Sequence, residues 1–333
     1  MKVVYRLVEL PHGSPRPVAT IGNFDGVHLG HQQLMRDLVR RAAEVGGTPT
    51  IVTFHPHPLQ VLARDNAPRQ IQTLQQKLST LAALGIQLVV VIPFDLQLAH
   101  MSAREFATGV LWDQLRLEEI YVGPNFAFGH RREGSFNLLK EIGEEKGFLV
   151  GRINQVQFRG SRVSSTAVRQ ALLAGQVALA RRLLGRPYSL VGHVIHGSAW
   201  GARLQVPTAN LQPDNELIPR MGVYITILNL ESSRFRSVTN IGVRPTVIPA
   251  GADAPVSVET HILDFSGDLY GNRVSLEILL RLRDERRFPD KEALVAQILK
   301  DVTRARRYFA WAERASPDLL TDKAFVPSWF GVP

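Results

Sequence analysis

The pattern of apolar residues changes near the middle of the chain and divides it into two halves. Up to about residue 185, short continuous apolar runs at 51–54 and 88–92 alternate with helical stretches at 75–84 and 104–115. Continuous apolar runs of this length are typical of strands that are buried on both faces of a parallel sheet. The alternation of such strands with helices predicts an α/β fold with a doubly wound parallel sheet for the first half.

Beyond this point apolar and polar residues alternate one by one. Positions 256–262 and 274–283 both follow this period, as strands with one buried face do. Gly, Pro and Asp residues separate several such segments, which indicates turns between neighbouring strands. We therefore predict a small antiparallel β-barrel in the second half.

A last helix is predicted to begin after Asp290, because the apolar residues that follow recur at helical spacing. Its expected inner stripe consists of Leu294, Val295, Ile298, Leu299 and Val302. The segment after this helix shows no clear period. These patterns predict a first domain at 1–185, a second domain at 186–315 and a C-terminal tail at 316–333.

Composition supports two soluble domains. A chain of 333 residues with 45% hydrophobic residues is long enough to bury two cores. It contains no run of 18 apolar residues and no charged-then-apolar leader, so we expect neither a membrane span nor a signal peptide. The absence of cysteine excludes disulfides and thiol catalysis and is compatible with the cytoplasmic location that we expect.

The net charge of +9 allows two interpretations. A basic chain is typical of nucleic-acid binding, but here the basic residues are scattered along the sequence. An enzyme that handles anionic nucleotides also benefits from positive potential. We therefore expect neither a nucleic-acid nor a membrane partner, and the oligomeric state is left open.

The segment 20–31 contains several residues that suit ligand binding. Here a short apolar strand is followed by a Gly-rich turn and then by a helix. Gly22 and Gly26 let the backbone approach an anion closely, and the first N–H groups of the new helix point at it. His28 and His31 lie on one face of the first helical turn, so both imidazoles can reach the same group. The segment predicts a polyphosphate site.

Two other interpretations of the histidine pair stay open at this point. The pair could be half of a zinc site completed by His55 and His57, although no carboxylate stands beside it at ligand spacing. Histidines on an exposed helix face are common, but they would not explain the glycines and Asp25 in the preceding turn. The spacing matches neither the Walker A motif nor the dinucleotide G-x-G-x-x-G motif.

The run G-N-F-D-G-V-H-L-G-H resembles the HxGH signature of nucleotidyltransferases. In this longer form it is similar to the amino-terminal half of the bifunctional prokaryotic riboflavin kinase/FAD synthetases. The resemblance implies that His28 and His31 are catalytic and stabilise charge on the nucleotide phosphates. It also implies that Gly22, Phe24 and Asp25 bind the nucleotide or the flavin.

Three further segments of the first half suit nucleotide chemistry. The loop T-F-H-P-H-P at 53–58 follows a strand at the sheet edge where open α/β folds bind ligands, although it could be only a rigid turn. The segment at 123–129 places Asn125 between aromatic residues after another strand. The run S-S-T-A-V-R at 164–169 predicts a helix N terminus that holds a phosphate or is simply capped.

The order of these segments resembles the FMN adenylyltransferase domain. The resemblance implies that Asn125 is catalytic and that His57 and Pro58 lie near the flavin. It further assigns a group of residues to the ATP/FMN site. These are Arg162, Ser165, Thr166 and Arg169.

The second half has its own glycine-rich signature around 192–210. Gly192 and Gly197 allow backbone contact with phosphate, and Thr208 and Asn210 offer hard oxygen ligands that suit Mg²⁺. Without a carboxylate these two residues would bind the metal weakly, so the nucleotide phosphates must supply the remaining charge.

The run P-T-A-N at 207–210 is similar to the riboflavin kinase motif that holds the Mg-nucleotide. Gln205-Val206 departs from the Gly-Phe that the family pattern has before the proline, which affects the local turn or substrate packing. Further matching segments, including one that contains Arg283, carry the resemblance to about residue 310. The resemblance implies that Arg283 binds nucleotide or flavin and that Mg²⁺ accompanies ATP.

A kinase that acts on a primary hydroxyl needs a carboxylate to accept its proton. Glu259 and Glu277 both lie on strand faces opposite apolar residues, and parity alone does not choose between them. The run E-T-H at 259–261 matches the position of the base in the resembling family, so we assign Glu259 as the catalytic base. Glu277 is interpreted as an ordinary solvated residue on an outward strand position.

The resemblance as a whole implies a cytoplasmic enzyme of flavin cofactor synthesis. Its second domain would phosphorylate riboflavin with ATP to give FMN, and its first would adenylylate FMN with ATP to give FAD and pyrophosphate. The expected partners are the small molecules ATP, riboflavin and FMN. The alternative is that only one of the two activities is retained. The other domain would then act as a nucleotide- or flavin-binding regulatory module.

Overall fold

A computed structural model describes most of the chain. The described residues are 1–6, 9–10, 16–123, 126–153, 157–158, 161–196, 208–243 and 256–315. The chain folds into two compact units. The first unit consists of Met1–Arg69 with Leu74–Ser164, and the second contains Gln70–Thr73 and the described residues from Ser165 onward.

The first unit is built on a six-stranded parallel sheet, as predicted. The strand order is β1-β4-β3-β2-β5-β6: after β2 the chain adds β3 and β4 on one side and β5 and β6 on the other, and β1 lies at the edge beside β4. A separate small hairpin pairs β7 with β8. The strands of this unit are β1 Lys2–Val4, β2 Pro17–Ile21, β3 Thr48–His55, β4 Leu88–Pro93, β5 Glu119–Val122, β6 Leu149–Arg152, β7 Gln157–Phe158 and β8 Ser161–Arg162.

Apolar side chains cover both faces of this sheet. Along β4, Val89 and Val91 pack into one core, whereas Val90 and Ile92 pack into the other. Burial on both faces explains why this strand reads as a continuous apolar run. The helices of this unit are α1 Leu29–Val45, α2 Pro58–Leu62, α3 Leu74–Ala83, α4 Leu96–His100, α5 Ala103–Glu105 with a following π-helix Phe106–Gln114, and α6 Phe136–Lys146, besides 3₁₀ turns at Arg64–Asn66 and His130–Arg132.

The second unit is a closed antiparallel barrel, again as predicted. Its strands follow the order β9-β10-β13-β12-β11-β14 around the barrel. The two strands predicted from sequence, β13 and β14, begin and end within one residue of the predicted limits. The barrel strands are β9 Tyr188–Ile195, β10 Ala209–Pro213, β11 Gly222–Leu230, β12 Ser233–Val243, β13 Val256–Ile262 and β14 Arg273–Arg283.

One side of the barrel wall carries a chain of buried hydroxyls. Thr226 Oγ1 lies 2.7 Å from Ser237 Oγ and 2.8 Å from Thr239 Oγ1, which in turn lies 3.0 Å from Thr260 Oγ1. Each group satisfies a neighbour, so these buried polar side chains are stable without water. The opposite side presents apolar residues such as Ile225 to the core of this unit.

The described residues of the second unit form three helices. They are α7 Ser165–Leu173, α8 Val177–Leu184 and α9 Lys291–Ala315. Helix α8 packs against β9 and β14, and α9 packs against β12. The described residues contain no helix that is long and apolar enough to cross a membrane.

The predicted inner stripe of α9 is partly wrong. Leu299, expected on that stripe, is 56% exposed, and the buried positions of the helix are Asp301, Ala305, Phe309 and Ala312. Successive residues turn by about 100° on a helix, so a side chain two positions before Asp301 lies on the far side. The contacts of α9 with the barrel, rather than its most apolar stripe, decide which face is buried.

Candidate active sites

The turn that joins β2 to α1 has an unusual backbone. Phe24 and Val27 adopt left-handed φ angles of 47° and 38°, and Gly26 between them has 79°. Non-glycine residues in this region cost about 1–3 kcal/mol each and persist only where the surroundings fix them. Both side chains are buried, with 5% and 0% exposure. Such stored strain is typical of ligand sites, which agrees with the predicted polyphosphate turn.

The two predicted histidines stand together where α1 begins. His28 caps the helix, and its Nδ1 accepts a hydrogen bond from the His31 backbone N–H at 3.3 Å. The two rings stack with centroids 3.7 Å apart, and the edge of Phe24 meets the His31 ring at 5.2 Å. This arrangement holds both imidazoles at the helix N terminus, where anions bind most readily.

Burial lowers the pKa of His31 well below its usual range, and the charges of His28 and Lys77 lower it further. The His31 Nδ1 atom is buried without a hydrogen-bond partner among the described residues. The ring is therefore neutral near pH 7. A neutral imidazole donates a single hydrogen bond, and with Nδ1 enclosed by protein, Nε2 is the nitrogen left to donate it.

This low pKa predicts that acid destabilises the first unit. The unfolded chain takes up a proton on His31 near pH 6.5, about its ordinary pKa, while the folded chain resists it. Stability should therefore fall as the pH drops from about 6.5 toward the folded pKa, by at most about 1.4 kcal/mol per pH unit. Denaturant unfolding of native protein and His31→Gln between pH 7 and 5 tests this expectation.

The matched control for that measurement is His100→Gln, which removes an exposed histidine of the same unit. His31→Gln should flatten the acid dependence, and His100→Gln should not. An acid dependence that is the same in native protein and His31→Gln would contradict the assignment of a low pKa to His31.

Lys77 lies beneath the turn and was not predicted from the sequence. It is 6% exposed, and its Nζ donates a hydrogen bond of 2.8 Å to the Asn23 carbonyl oxygen. The negative charge of Asp25, itself 3% exposed, partly offsets the effect of burial on the lysine pKa. A signal was present in the sequence, because residue 77 falls among Leu74, Leu78 and Leu81 on the apolar face of α3.

His57 connects the next loop to the same turn. It caps α2, where Nδ1 accepts from the Leu59 N–H at 3.2 Å and the His57 N–H donates to Gln60 Oε1 at 3.1 Å. Its Nε2 lies 3.0 Å from the side-chain amide of Asn23. The structure therefore brings His57, and Pro58 after it, beside the predicted phosphate turn.

The structure describes the other predicted residues of the first site only in part. Asn125 lies outside the described residues, and Arg162 lies on β8 with its side chain outside the described part. The predicted helix N terminus at 164–169 is confirmed, because α7 begins at Ser165. Ser165, Thr166 and Arg169 therefore lie on a helix of the second unit, and their part in nucleotide binding stays a prediction.

On the barrel, strand register places Glu259 between two asparagines. Asn210 of β10 and Asn240 of β12 are both paired with Glu259 of β13, so the three side chains share one face of the sheet. Ser257, two positions earlier on the same face, donates a hydrogen bond of 2.8 Å from Oγ to Glu259 Oε1. The carboxylate thus lies directly beside the predicted Asn210 ligand.

The remaining residues of the P-T-A-N signature are partly described. Thr208 precedes β10 and is partly exposed, and Asn210 is 9% exposed. Gly197 lies outside the described residues. Gly192 of β9 faces β10, where an added Cβ would overlap the Gln212 carbonyl oxygen. A close approach of two strands therefore explains this glycine.

Arg283 ends β14 and is fixed by the C-terminal helix. Its Nε donates to Asp301 Oδ2 at 2.9 Å, and Gln297 Nε2 donates to the other carboxylate oxygen at 2.9 Å. Asp301 is 1% exposed and was missed by the sequence analysis, although it falls three residues after Ile298 on the predicted stripe. The pair orients the guanidinium at the end of the barrel strand.

The interpretation of Glu277 as a solvated residue is wrong. Glu277 is 7% exposed, and its carboxylate accepts two hydrogen bonds from Arg234, at 3.2 and 3.1 Å, and one from Asn229 at 3.1 Å. Burial raises the pKa of Glu277, and the Arg234 charge opposes the shift. This strand position is covered because helix α8 packs on β14. Glu277 is thus engaged in a buried ion pair.

Comparison with known proteins assigns the two halves separately. The FAD synthetase family model matches residues 11–167, and the riboflavin kinase model matches residues 184–309. Among curated proteins, a bifunctional riboflavin kinase/FMN adenylyltransferase from Pseudomonas fluorescens is 41% identical over 87% of this chain and 92% of its own length. The protein of that name from Escherichia coli K12 is 38% identical over 90% of this chain and 94% of its own length.

A solved structure has the same fold along most of the chain. It is described as a macrolide-efflux protein from Streptococcus pneumoniae, is 27% identical, covers 92% of this chain and 98% of its own, and has a TM-score of 0.81. Both family models and the curated relatives agree with the motifs of the two halves and their order. The chain therefore belongs to the family of bifunctional riboflavin kinase/FMN adenylyltransferases.

Proposed function

We propose that the first unit transfers AMP from ATP to FMN at the turn before α1, and that the barrel phosphorylates riboflavin with ATP. The observation that carries the proposal is the pairing of two separate sites in one chain. A stacked histidine pair caps a helix in the first unit, and a strand carboxylate lies between two asparagines in the second. Each arrangement suits one of the two reactions.

In adenylyl transfer, a phosphate oxygen of FMN attacks the α-phosphorus of ATP and pyrophosphate leaves. Negative charge builds on the phosphate oxygens during this step, so preorganised donors give most of the rate enhancement. His28 and His31 would supply such donors, together with the first N–H groups of α1.

In the kinase reaction, the terminal hydroxyl of riboflavin attacks the γ-phosphorus of ATP and ADP leaves. Glu259 would accept the hydroxyl proton, and its hydrogen bond from Ser257 fixes the direction of the carboxylate. Arg283, fixed by Asp301, would bind substrate at the end of β14. Phosphoryl transfer depends mostly on such positioning.

The side-chain oxygens of the barrel site are of the kind that Mg²⁺ prefers. Thr208 and Asn210 carry neutral oxygens, which are hard ligands, and Glu259 lies beside Asn210 in the strand register. Thr208 and Asn210 would hold the ion together with the nucleotide phosphates. When bound, Mg²⁺ supplies positive charge that offsets the charge of the triphosphate.

Further residues complete the proposal through the family resemblance. In the first site we assign nucleotide or flavin contacts to Asn125, Arg162, Ser165, Thr166 and Arg169, and in the barrel to Gly192 and Gly197. The small-molecule partners are ATP, riboflavin and FMN, and the use of ATP in both steps supports a cytoplasmic location.

One assay tests both activities. Purified protein is incubated with riboflavin, ATP and Mg²⁺, and riboflavin, FMN and FAD are then separated by chromatography. We expect FMN to form first and FAD afterwards, and neither to form when EDTA replaces Mg²⁺. FMN without FAD, in a reaction that is also supplied with FMN, would favour the alternative in which the first domain only binds its ligands.

The second unit should act alone. A chain truncated to start near Gly185 retains the kinase motifs and the barrel strands, so it should make FMN and no FAD. A chain that starts at Ser165 also keeps α8, which packs on β9 and β14, and should therefore unfold at a higher temperature. Calorimetry and the chromatographic assay on both truncated chains test these points.

The longer truncated chain serves as the control for the shorter one. If the chain from Gly185 is inactive and the chain from Ser165 makes FMN, the predicted boundary at 185 is wrong and the kinase domain includes α7 and α8. Folded but inactive protein in both cases would contradict independent kinase activity.

A further inference from the structure

Lys77 is a buried cation to which the proposed chemistry gives no role. Its side chain extends from α3 and is 6% exposed, and its Nζ donates to the Asn23 carbonyl oxygen at 2.8 Å. Burial of an ammonium group is costly unless it is paired and hydrogen-bonded. The buried Asp25 provides a nearby opposite charge. Because the side chain is buried, solubility of the protein surface does not explain a lysine at this position.

The carbonyl that Lys77 binds belongs to the peptide plane between Asn23 and Phe24. This plane leads directly into the left-handed Phe24, which has a φ of 47°. The Thr53 hydroxyl approaches the same carbonyl oxygen at 3.4 Å. Left-handed backbone at a non-glycine residue persists only where the surroundings determine it, and the Lys77 hydrogen bond is one of the contacts that hold this turn.

The turn conformation in turn places the histidine pair. The Phe24 ring meets the His31 ring edge-on at a centroid distance of 5.2 Å, and His31 stacks on His28. A rotation of the Asn23–Phe24 peptide would move the Phe24 ring away from His31. Lys77 is thereby connected to both imidazoles through one carbonyl and one aromatic ring.

We propose that Lys77 is a positioning residue of adenylyl transfer, which fixes the turn at Asn23 so that His28 and His31 meet the phosphates correctly. The inference rests on the proposed role of the histidine pair. Lys77 acts through the protein, because its ammonium is directed at a backbone carbonyl and is almost fully enclosed. Its effect should therefore fall on turnover more than on ATP binding.

The test compares Lys77→Met with Lys77→Arg in the full-length protein. Methionine preserves length and removes the charge and the donors, whereas arginine keeps both. Lys77→Met should lower kcat for FAD formation by about 10- to 100-fold, the range for a lost hydrogen bond to a charged group, with KM for ATP within about twofold. Lys77→Arg should recover a large part of that loss. Riboflavin phosphorylation by the same samples should not change.

Gln75→Met is the matched control, since Gln75 is an exposed residue of the same helix. It should leave FAD formation unchanged. Amide hydrogen exchange in β2 and β3 reports whether the first unit stays folded in each variant. If Lys77→Met does not fold, Lys77→Leu replaces it, because leucine also lacks the charge and the donors.

The outcomes separate this inference from the proposed function. His28→Asn is assayed in parallel, and its loss of FAD formation establishes the role of the histidine pair. If His28→Asn is inactive while the folded uncharged Lys77 variant has native kcat, the positioning role of Lys77 is overturned alone. A native kcat in His28→Asn would overturn the proposed catalytic role of His28, on which this inference rests. An equal loss in Gln75→Met would overturn the Lys77 inference.

Discussion

Glu259→Gln should lower the turnover of riboflavin phosphorylation by about 10²- to 10⁴-fold. The amide cannot accept the hydroxyl proton in the transition state, while its volume and most of its hydrogen bonding remain. Ser257 can still donate to the amide oxygen, so the side chain should keep its place between Asn210 and Asn240. The effect should therefore appear in kcat, with little change in nucleotide affinity. Steady-state kinetics with riboflavin and ATP measures both quantities.

Glu277→Gln is the contrasting variant in the same barrel. It should change kinase turnover much less than Glu259→Gln, but it leaves the Arg234 guanidinium buried without its carboxylate. Loss of one partner of a buried ion pair costs about 3–5 kcal/mol, so this variant should lose stability. FMN adenylylation by the first unit is the internal control for both variants. Normal riboflavin phosphorylation in Glu259→Gln would remove Glu259 from the mechanism.

Replacing His28 or His31 by Ala should lower FAD formation from FMN by about 10²- to 10³-fold, as expected for one lost charge-stabilising donor. Riboflavin phosphorylation should persist, because Glu259 and Asn210 lie in the other unit. The measurement is the rate of FAD formation from added FMN, with FMN formation from riboflavin followed in the same preparation. A parallel fall in both activities would contradict the assignment of the pair to one domain.

His28 requires a second variant, because it also caps α1. Loss of an N-cap side chain costs about 0.5–2 kcal/mol of stability, which His28→Ala would add to any catalytic effect. Asparagine is a good N-cap residue without an imidazole, so His28→Asn should keep the helix start and still lose FAD formation. Near-native FAD formation in His28→Asn, with a loss in His28→Ala, would assign His28 a capping role only.

Local pattern was enough to predict both folds and the start of α1. Continuous apolar runs predicted the parallel sheet, and the alternation of apolar and polar residues at β13 and β14 predicted the barrel, because side-chain burial along a strand follows directly from its neighbours. The glycines and histidines before α1 also act within a few residues of one another. Their spacing alone therefore indicated a helix N terminus that binds an anion.

Contacts between distant segments could be decided only by the tertiary structure. Sequence parity left Glu259 and Glu277 equivalent, whereas strand register puts Asn210 and Asn240 beside the first, and Arg234 pairs with the second. The pairing of strands and the packing of helices on them are set by the whole domain, so no local window contains them.

The same reason explains the residues that the sequence analysis missed or misplaced. Lys77 binds a carbonyl 54 residues earlier, and Asp301 binds a guanidinium 18 residues earlier. Leu299 is exposed because the barrel covers a different face of α9. The sequence by itself determined the two fold classes, their order and the local motifs, since these depend on spacing along the chain. Only the tertiary structure decided which charged side chains are buried and paired, because that depends on what packs against them.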